Sequence, residues 1–423
     1  MSTSPITSSL TFFEELVLTA VRPAPRPARA DLTDPPLRSS RAGEMLQLVR
    51  AGTATTISAL ASATGLARST VTERVELLVA AGLVVPRTAG AQGRGRPAAV
   101  FDFNATAGVV LTGQVGMSGL RVGVADLEGT IVATSATDVD LAAGPTVLLE
   151  HLQRAFDRAL AEAGRDPAAV MGVGVGLPGR IELEATPGPA GGPDRPWLSH
   201  PLRTMLEEAY RVPVRVDRAV NLLASAEHRS FHRDATVLLG VKVGTVIECG
   251  VVIGGRPVGG GSGIAGEIGH TPVAGAEQVC ACGNRGCLNA VASGAALVRD
   301  LAAAGHPVAN AREVASLAAR GDAPVGIAVR QAGRHVGEVL AGAVNLLNPD
   351  VIVVWGYLAD GGDHLVAGLR EGLYRTAVPA AGDHVRIEAA RFGDDAALRG
   401  AATAVLDEAL RPSRIDTVAA RHS

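Results

Sequence analysis

The sequence predicts an α/β chain that carries a winged helix-turn-helix near its N-terminus. Three observations point there. Between residues 39 and 104, two short helical patterns flank a glycine-containing turn, and two strand patterns follow around a Gly/Arg tip. Beyond residue 105, strands and glycine turns alternate with helices, and the same pattern returns near Val237. A histidine and three cysteines then stand at metal-ligand spacing between His270 and Cys287.

Residues 1–38 hold Pro5, Pro23, Pro25, Pro27, Pro35 and Pro36 among many Ser and Thr, a composition that predicts a disordered tail with a short helical pattern at 11–21. The first helix of the N-terminal module spans 40–51, with Met45, Leu46, Leu48 and Val49 on its apolar stripe. The second spans 56–65, with Thr56 as N-cap and Gly65 as its stop. The third spans 66–82, with Val71, Val75, Leu78 and Val79 facing inward and Gly82 ending it. Strands at 83–86 and 98–103 enclose the tip at 90–96. Eight arginines face four acids between Arg38 and Asn104, about +4, while the whole chain carries −3, which leaves the remainder at about −7. A basic module on an acidic body is the footprint of a phosphate-backbone binder. The third helix should expose Arg68, Ser69, Thr70, Thr72, Glu73 and Arg74, where a recognition helix reads base edges. Arg94 and Arg96 at the tip suit a minor-groove or phosphate contact. The competing account is a small helical protein–protein module with solvated arginines.

The body begins with strands at 107–115, 121–126 and 130–134, joined by turns at Ser118-Gly119 and Glu128-Gly129. A helix at 145–163 and a buried strand at 170–177 follow. The second half offers strands at 238–244, 248–253 and 256–258, helices at 295–303, 311–319 and 324–347, a strand at 350–354 and a last helix at 396–410. Residues 413–423 read as a C-terminal tail. A length of 423 residues suits two to three domains, and an apolar fraction of 47% suffices for their cores. No run approaches the ~18–20 uninterrupted apolar residues of a membrane span. Glu14 and Glu15 interrupt the only leader-like stretch, so a soluble, cytoplasmic protein without a membrane partner is expected.

Three of the four cysteines, Cys280, Cys282 and Cys287, fall within eight residues, ten positions after His270. Thiolate and imidazole are preferred Zn²⁺ ligands, and four of them close a tetrahedral shell with no open position. The spacing therefore predicts a structural Zn²⁺ held by His270, Cys280, Cys282 and Cys287. Gly283 and Gly286 let the chain curl so that the sulfurs converge. Clustered cysteines of this kind fit a reducing compartment. Free core cysteines beside a surface histidine would require the same spacing to arise by chance in a cysteine-poor chain.

Gly-Glu-Ile-Gly-His at 266–270, followed by Cys-x-Cys-Gly-x-x-Gly-Cys, resembles the signature of the ROK family, which contains bacterial sugar kinases and sugar-responsive repressors. The resemblance covers roughly residues 105–410, and Gly93-Arg-Gly-Arg-Pro97 resembles the wing of the family's repressors. It implies a two-lobed actin-like ATPase/sugar-kinase fold, with lobes at 105–230 and 231–412 behind a winged helix-turn-helix at 39–104. It also implies that Glu267 and His270 touch a sugar's hydroxyls or the zinc. Asn289 replaces the family's glutamate two residues after the last cysteine, and Asp194, ahead of Trp197, stands near its sugar-facing asparagine.

The resemblance also locates what is missing. In the kinases the base is the Asp of an Asn-Asp-x-Asn segment. Here Asn221 and Glu227 fall in register, the base position is Ala219 and the preceding asparagine is Arg218. Asp217 could serve only after a two-residue slip. The first phosphate loop reads Gln114-Val-Gly-Met117-Ser118 in place of Asp-x-Gly-Gly-Thr. The second has Val246 and Glu248 in place of glycines, and Trp355-Gly356-Tyr357 replaces an adenosine-side Gly-Gly. These losses predict no ATP chemistry and no catalytic residue. Arg218 either makes the cleft selective for an anionic sugar or pairs with Asp217 or Glu267 and leaves the pocket vestigial. The expectation is a sequence-specific transcriptional regulator, a repressor. It would bind operator DNA as a homodimer or homotetramer and sense a sugar or sugar-phosphate effector. The alternatives are an active ROK sugar kinase using ATP and a ligand-independent DNA-binding protein.

Overall fold

Thr56 and Gly65 bracket the second helix as the cap rules require. The Thr56 side chain accepts the Ala59 N–H, and Gly65 takes the left-handed φ of 71° that closes the helix. In this computed structural model, residues 41–88, 99–116, 119–139, 145–178, 202–261 and 263–420 are described. The tail at 1–38, the wing tip with Arg94 and Arg96, Met117, Ser118, Asp194 and Trp197 lie outside them. From Arg41 onward the chain forms one packed unit.

The winged helix consists of α1 (Ala42–Arg50), α2 (Ile57–Thr64), α3 (Arg68–Ala80) and the antiparallel strands β1 (Val84–Thr88) and β2 (Ala99–Phe103). Met45, Leu46, Leu60, Val71, Leu78 and Phe101 form its core.

Two five-stranded sheets follow with the same internal plan. The first has β3 (Val109–Val115), β4 (Leu120–Asp126), β5 (Ile131–Thr137), β6 (Val170–Leu177) and β7 (Val214–Arg218) in the order β5-β4-β3-β6-β7. The second has β8 (Val237–Val243), β9 (Ile247–Ile253), β10 (Arg256–Pro257), β11 (Val351–Trp355) and β12 (Arg386–Ala389) in the order β10-β9-β8-β11-β12. In each, three strands form an antiparallel meander; a later strand pairs in parallel with its first strand, and a last strand pairs in parallel with that one. A parallel neighbour needs a helical crossover. Those crossovers are α4 (Pro145–Glu162) and α5 (Leu202–Tyr210) in the first lobe. In the second they are α7 (Leu288–Ala292), α8 (Gly294–Ala303), α9 (Ala311–Ala319), α10 (Ala323–Leu347), α11 (Tyr357–Asp360), α12 (His364–Thr376) and α13 (Pro379–Gly382).

Helix α6 (Ala219–Phe231) leads from β7 to the second lobe, and α14 (Ala396–Ala409) returns from it to pack on β3 and β6 of the first. Glycine at alternate positions of β6 lets these helices approach closely. A Cβ on Gly174 would lie 2.9 Å from the Ala401 carbonyl carbon, and one on Gly176 would lie 3.1 Å from the Ala219 Cα. Val173 and Val175 on the other face pack into the core formed with α4.

Two expectations about the chain ends of the folded part are corrected. Of the tail expected at 413–423, residues up to 420 belong to helix α15 (Pro412–Ala420), with Ile415 and Ala419 fully buried, and 421–423 lie outside the described residues. The winged helix is also not a separate body, because Leu127, Leu406, Leu410 and Ile415 share its core. Gly43 N donates to Asp416 Oδ1 at 2.9 Å, and Gln47 Nε2 donates to the Leu410 carbonyl at 2.6 Å. Each buried Leu or Ile at this seam contributes about 1.5–3 kcal/mol. The apolar residues of α15 are few, and they pack against partners far off in sequence, chiefly α1, with Leu406 and Leu410 in the same core.

Candidate metal centre, closed cleft and DNA-binding face

The segment after the 3₁₀ turn Ile268–His270 folds back on itself, and α7 begins directly after Cys287. The ligand atoms of His270, Cys280, Cys282 and Cys287 all lie within 4.8 Å of one another. Cys280 Sγ stands 3.6 Å from His270 Nδ1, and the Cys282 and Cys287 sulfurs are 3.7 Å apart. A tetrahedron with Zn–S bonds of about 2.3 Å has edges of about 3.8 Å, so these spacings fit a zinc shell. They are far too long for a disulfide bond of ~2.05 Å. Gly283 and Gly286 take φ of 93° and 70°, the left-handed geometry that closes the knuckle. The backbone N–H of Asn284 is the main influence drawing the exposed Cys282 thiol down to about 7, whereas burial pushes Cys287 up to about 12. The donor set thus suits Zn²⁺, which would hold the sulfurs as thiolates and staple the loop.

His270 turns Nδ1 toward the sulfurs and Nε2 toward Glu267 Oε2, 3.9 Å away. A carboxylate behind a metal-binding imidazole is the usual orienting arrangement. The other Glu267 oxygen, Oε1, lies 2.8 Å from Arg218 Nη2. Arg218, at the end of β7, is 1% exposed. Its Nη1 donates to the Ala265 carbonyl at 2.6 Å, and Nη2 is 3.9 Å from Glu248 Oε1. The arginine of the first lobe therefore reaches across the cleft and engages the residue expected to greet a sugar. Of the two options open in the sequence, pairing with Glu267 is the one seen. Asn289 is also engaged: its Oδ1 accepts the Ile247 N–H at 2.7 Å.

Asp217, the base only after a two-residue slip of the register, is held by three donors. It is 6% exposed and accepts from Arg218 N, Asn221 Nδ2 and Arg215 Nη2 at 2.8, 2.9 and 3.0 Å. Ala219 opens α6 with no proton acceptor. Glu248, which stands in place of a loop glycine in the family resemblance, has a local partner. It lies opposite Lys242 across β8 and β9, is 3% exposed, and its Oε2 pairs with Lys242 Nζ at 3.2 Å. Around the loop that the resemblance sets at the second phosphate position, the Tyr357 ring would lie 3.4 Å from a Cβ on Gly244, and its hydroxyl hydrogen-bonds Thr245 Oγ1. Arg312 stacks on that ring at 5.1 Å. Sequence reasoning missed this aromatic plug, because Gly244, Arg312 and Tyr357 meet only in the fold.

On the winged helix, Val71, Val75 and Leu78 anchor α3, and Arg68, Ser69, Thr72 and Glu73 stand exposed. Arg68 Nη2 donates to Ser58 Oγ of α2 at 2.9 Å. Thr70 and Arg74 are only half-exposed, which corrects the fully open face expected. Arg74 follows Val71 by three residues and so falls on the flank of the buried stripe, with Nε buried.

The ROK family profile matches residues 112–408. A putative xylose repressor from Caldicellulosiruptor sp. is 27% identical over 364 residues, covering 81% of this chain and 89% of that protein. A glucokinase from Halalkalibacterium halodurans is 29% identical over 303 residues, covering 68% of this chain and 91% of the enzyme. Among solved structures, a ROK family transcriptional regulator described as a homolog of the E. coli MLC protein superposes with a TM-score of 0.73. That match has 23% identity and covers 91% of this chain and 99% of the other.

Proposed function

The chain belongs to the ROK family, and on that premise we propose that it is a sequence-specific DNA-binding repressor whose kinase-like body has no phosphotransfer role. The observation that carries this reading is the α3 face. Arg68, Ser69 and Thr72 project from the first turns of a helix that Val71, Val75 and Leu78 lock into a winged-helix core. Ala219 at the base position, the Arg218–Glu267 ion pair and the Tyr357 plug all weigh against kinase chemistry. The similarity to the regulators reaches beyond the body into the winged helix, whereas that to the glucokinase has the extent of the body alone.

In this reading His270, Cys280, Cys282 and Cys287 hold a structural Zn²⁺, and Arg94 and Arg96 of the wing add contacts to operator DNA. Two copies bind paired half-sites, as helix-turn-helix proteins generally do. No helix among the described residues is long and apolar enough to cross a membrane, and the reading places the protein in the cytoplasm with the DNA.

The test is a gel shift on DNA from upstream of its own gene, with specific and scrambled competitors at two salt concentrations. A shift that withstands scrambled competitor and is lost with Arg68→Ala is expected. Binding that vanishes with salt irrespective of sequence would refute specific recognition, and ADP release with a hexose would restore the kinase reading. A second reading, ligand-independent DNA binding, is favoured by the buried contact of Arg218 with Glu267. Calorimetric titration with sugars and sugar phosphates separates the two.

A further inference from the structure

A groove of about 520 Å³ opens along the free edge of β7. Helices α5 and α6, the turn before β10 and the junction of α14 with α15 form its walls. Seven arginines and four carboxylates line it. Each carboxylate already has an arginine. Arg203 binds Glu207 at 2.9 Å, and Arg215 binds Asp217 at 3.0 Å. Arg229 grips Asp407 through both nitrogens, and Arg411 pairs with Glu408. Arg211, Arg256 and Arg414 are left with no carboxylate partner among the described residues. Three surplus guanidinium groups around one concavity make a local well for anions, and the arginine fork matches phosphate oxygens in pairs.

Ser225 and Thr403 also face the groove. Their hydroxyl protons go to the Asn221 and Arg399 carbonyls, which leaves their oxygens free to accept from a ligand's hydroxyls. The volume lies in the range of small-molecule sites, roughly 300–1,000 Å³. Interleaved carboxylates would repel the continuous phosphate rail of a duplex, whereas one compact anion can sit between them.

The groove adjoins the support of the winged helix. Arg411 follows Leu410, whose carbonyl holds Gln47 of α1, and Arg414 lies on α15 two residues before Asp416, which holds Gly43. Arg50 at the end of α1 is close enough to feel the charges of Asp407 and Arg229.

We propose that this groove binds a phosphate monoester of a small polyhydroxylated molecule, and that its occupancy is transmitted to the winged helix through α15. The transmission rests on the DNA-binding reading; the binding site does not. It also gives an effector an entry that the Arg218 contact does not obstruct.

The experiment titrates the full-length, zinc-loaded protein calorimetrically with inorganic pyrophosphate, glucose 6-phosphate and glucose. Both anions should bind, and glucose should give no heat. Joint replacement Arg211→Ser, Arg256→Ser and Arg414→Ser should weaken both anions about tenfold or more. All three side chains are exposed, so the fold should persist; Arg256→Gln alone provides a milder check, with a smaller loss. Absence of heat with both anions at millimolar concentration overturns the proposal. So does full affinity in the triple variant, which would put the phosphoryl group elsewhere. Displacement of pyrophosphate by non-specific duplex would make the groove a DNA contact instead. Amide exchange gives the second readout: pyrophosphate should slow exchange in Ala42–Arg50 and Pro412–Ala420. Binding that leaves those segments unchanged refutes the transmission. None of these measurements uses operator DNA, so failure here is distinguishable from failure of the repressor reading.

Discussion

Glu227 provides a sharp test of how the two lobes are joined. It is fully buried in α6, and its Oε1 accepts the backbone N–H groups of Arg391 and Phe392 at 2.8 and 3.0 Å. Burial is the main cause that raises its pKa, while the two N–H groups oppose it. The sign follows from linkage. A carboxyl with a raised folded-state pKa contributes most below its unfolded value near 4.5, and that contribution is lost as pH rises through the folded value. Glu227→Ala orphans two buried donors, at about 1–3 kcal/mol each. Removing a buried charge returns part of that, so the net loss should be about 1–3 kcal/mol. Glu227→Gln keeps an oxygen at the Oε1 position and removes the charge. It should match or exceed the parent at pH 7.5, and the advantage should shrink toward pH 5. Thermal unfolding by calorimetry separates the cases, since a chain of this size shifts roughly 2 °C per kcal/mol. Equal melting temperatures for the Ala and Gln variants would refute the claim that the N–H bonds matter.

Replacing Cys282 by Ser should abolish stoichiometric zinc and lower the melting temperature; full metal content by atomic absorption would mean the knuckle binds no ion through this residue. Gly43→Ala should destabilise by about 1–3 kcal/mol, because the new methyl would lie 2.6 Å from the Pro412 carbonyl carbon. Unchanged denaturant midpoint in that variant would mean α15 is not docked on α1. Glu371 is held down to about 2 by hydrogen bonding to Arg330, then to Arg334, with Nε contacts of 2.9 and 2.7 Å. Its contribution to joining α10 and α12 is present above pH 4.5 and lost as pH falls toward 2. Glu371→Gln should therefore flatten the acid limb of the stability curve, and an unaltered limb would count against the pair.

What the sequence made legible was local. Thr56 and Gly65 bound α2 because a cap and a left-handed stop act within one turn. The four candidate metal ligands lie within eighteen residues, so spacing alone could assemble them. Ala219, which the family resemblance sets at the base position, carries no proton acceptor, and that is readable from the residue type alone. The choices that stayed hidden are long-range. Arg218 could pair with Asp217 or Glu267, and only the packing of β7 against the loop near Ala265 selects Glu267. Tyr357 covers Gly244 from another strand's end. The groove's surplus charge emerges only once four other arginines are seen to be satisfied. α15 has too few apolar residues to announce itself, and its helix depends on α1, Leu406 and Leu410.

The seat of α1 on α15 imposes an order on biosynthesis. A ribosome working at 5–20 residues per second finishes α1 about 20–70 s before it finishes α15. Throughout that interval the nascent module lacks the floor of its own core. In the repressor reading, operator occupancy then waits for the synthesis of α15. A fragment that ends before Pro412 should in that reading bind the operator more weakly than a chain that carries α15.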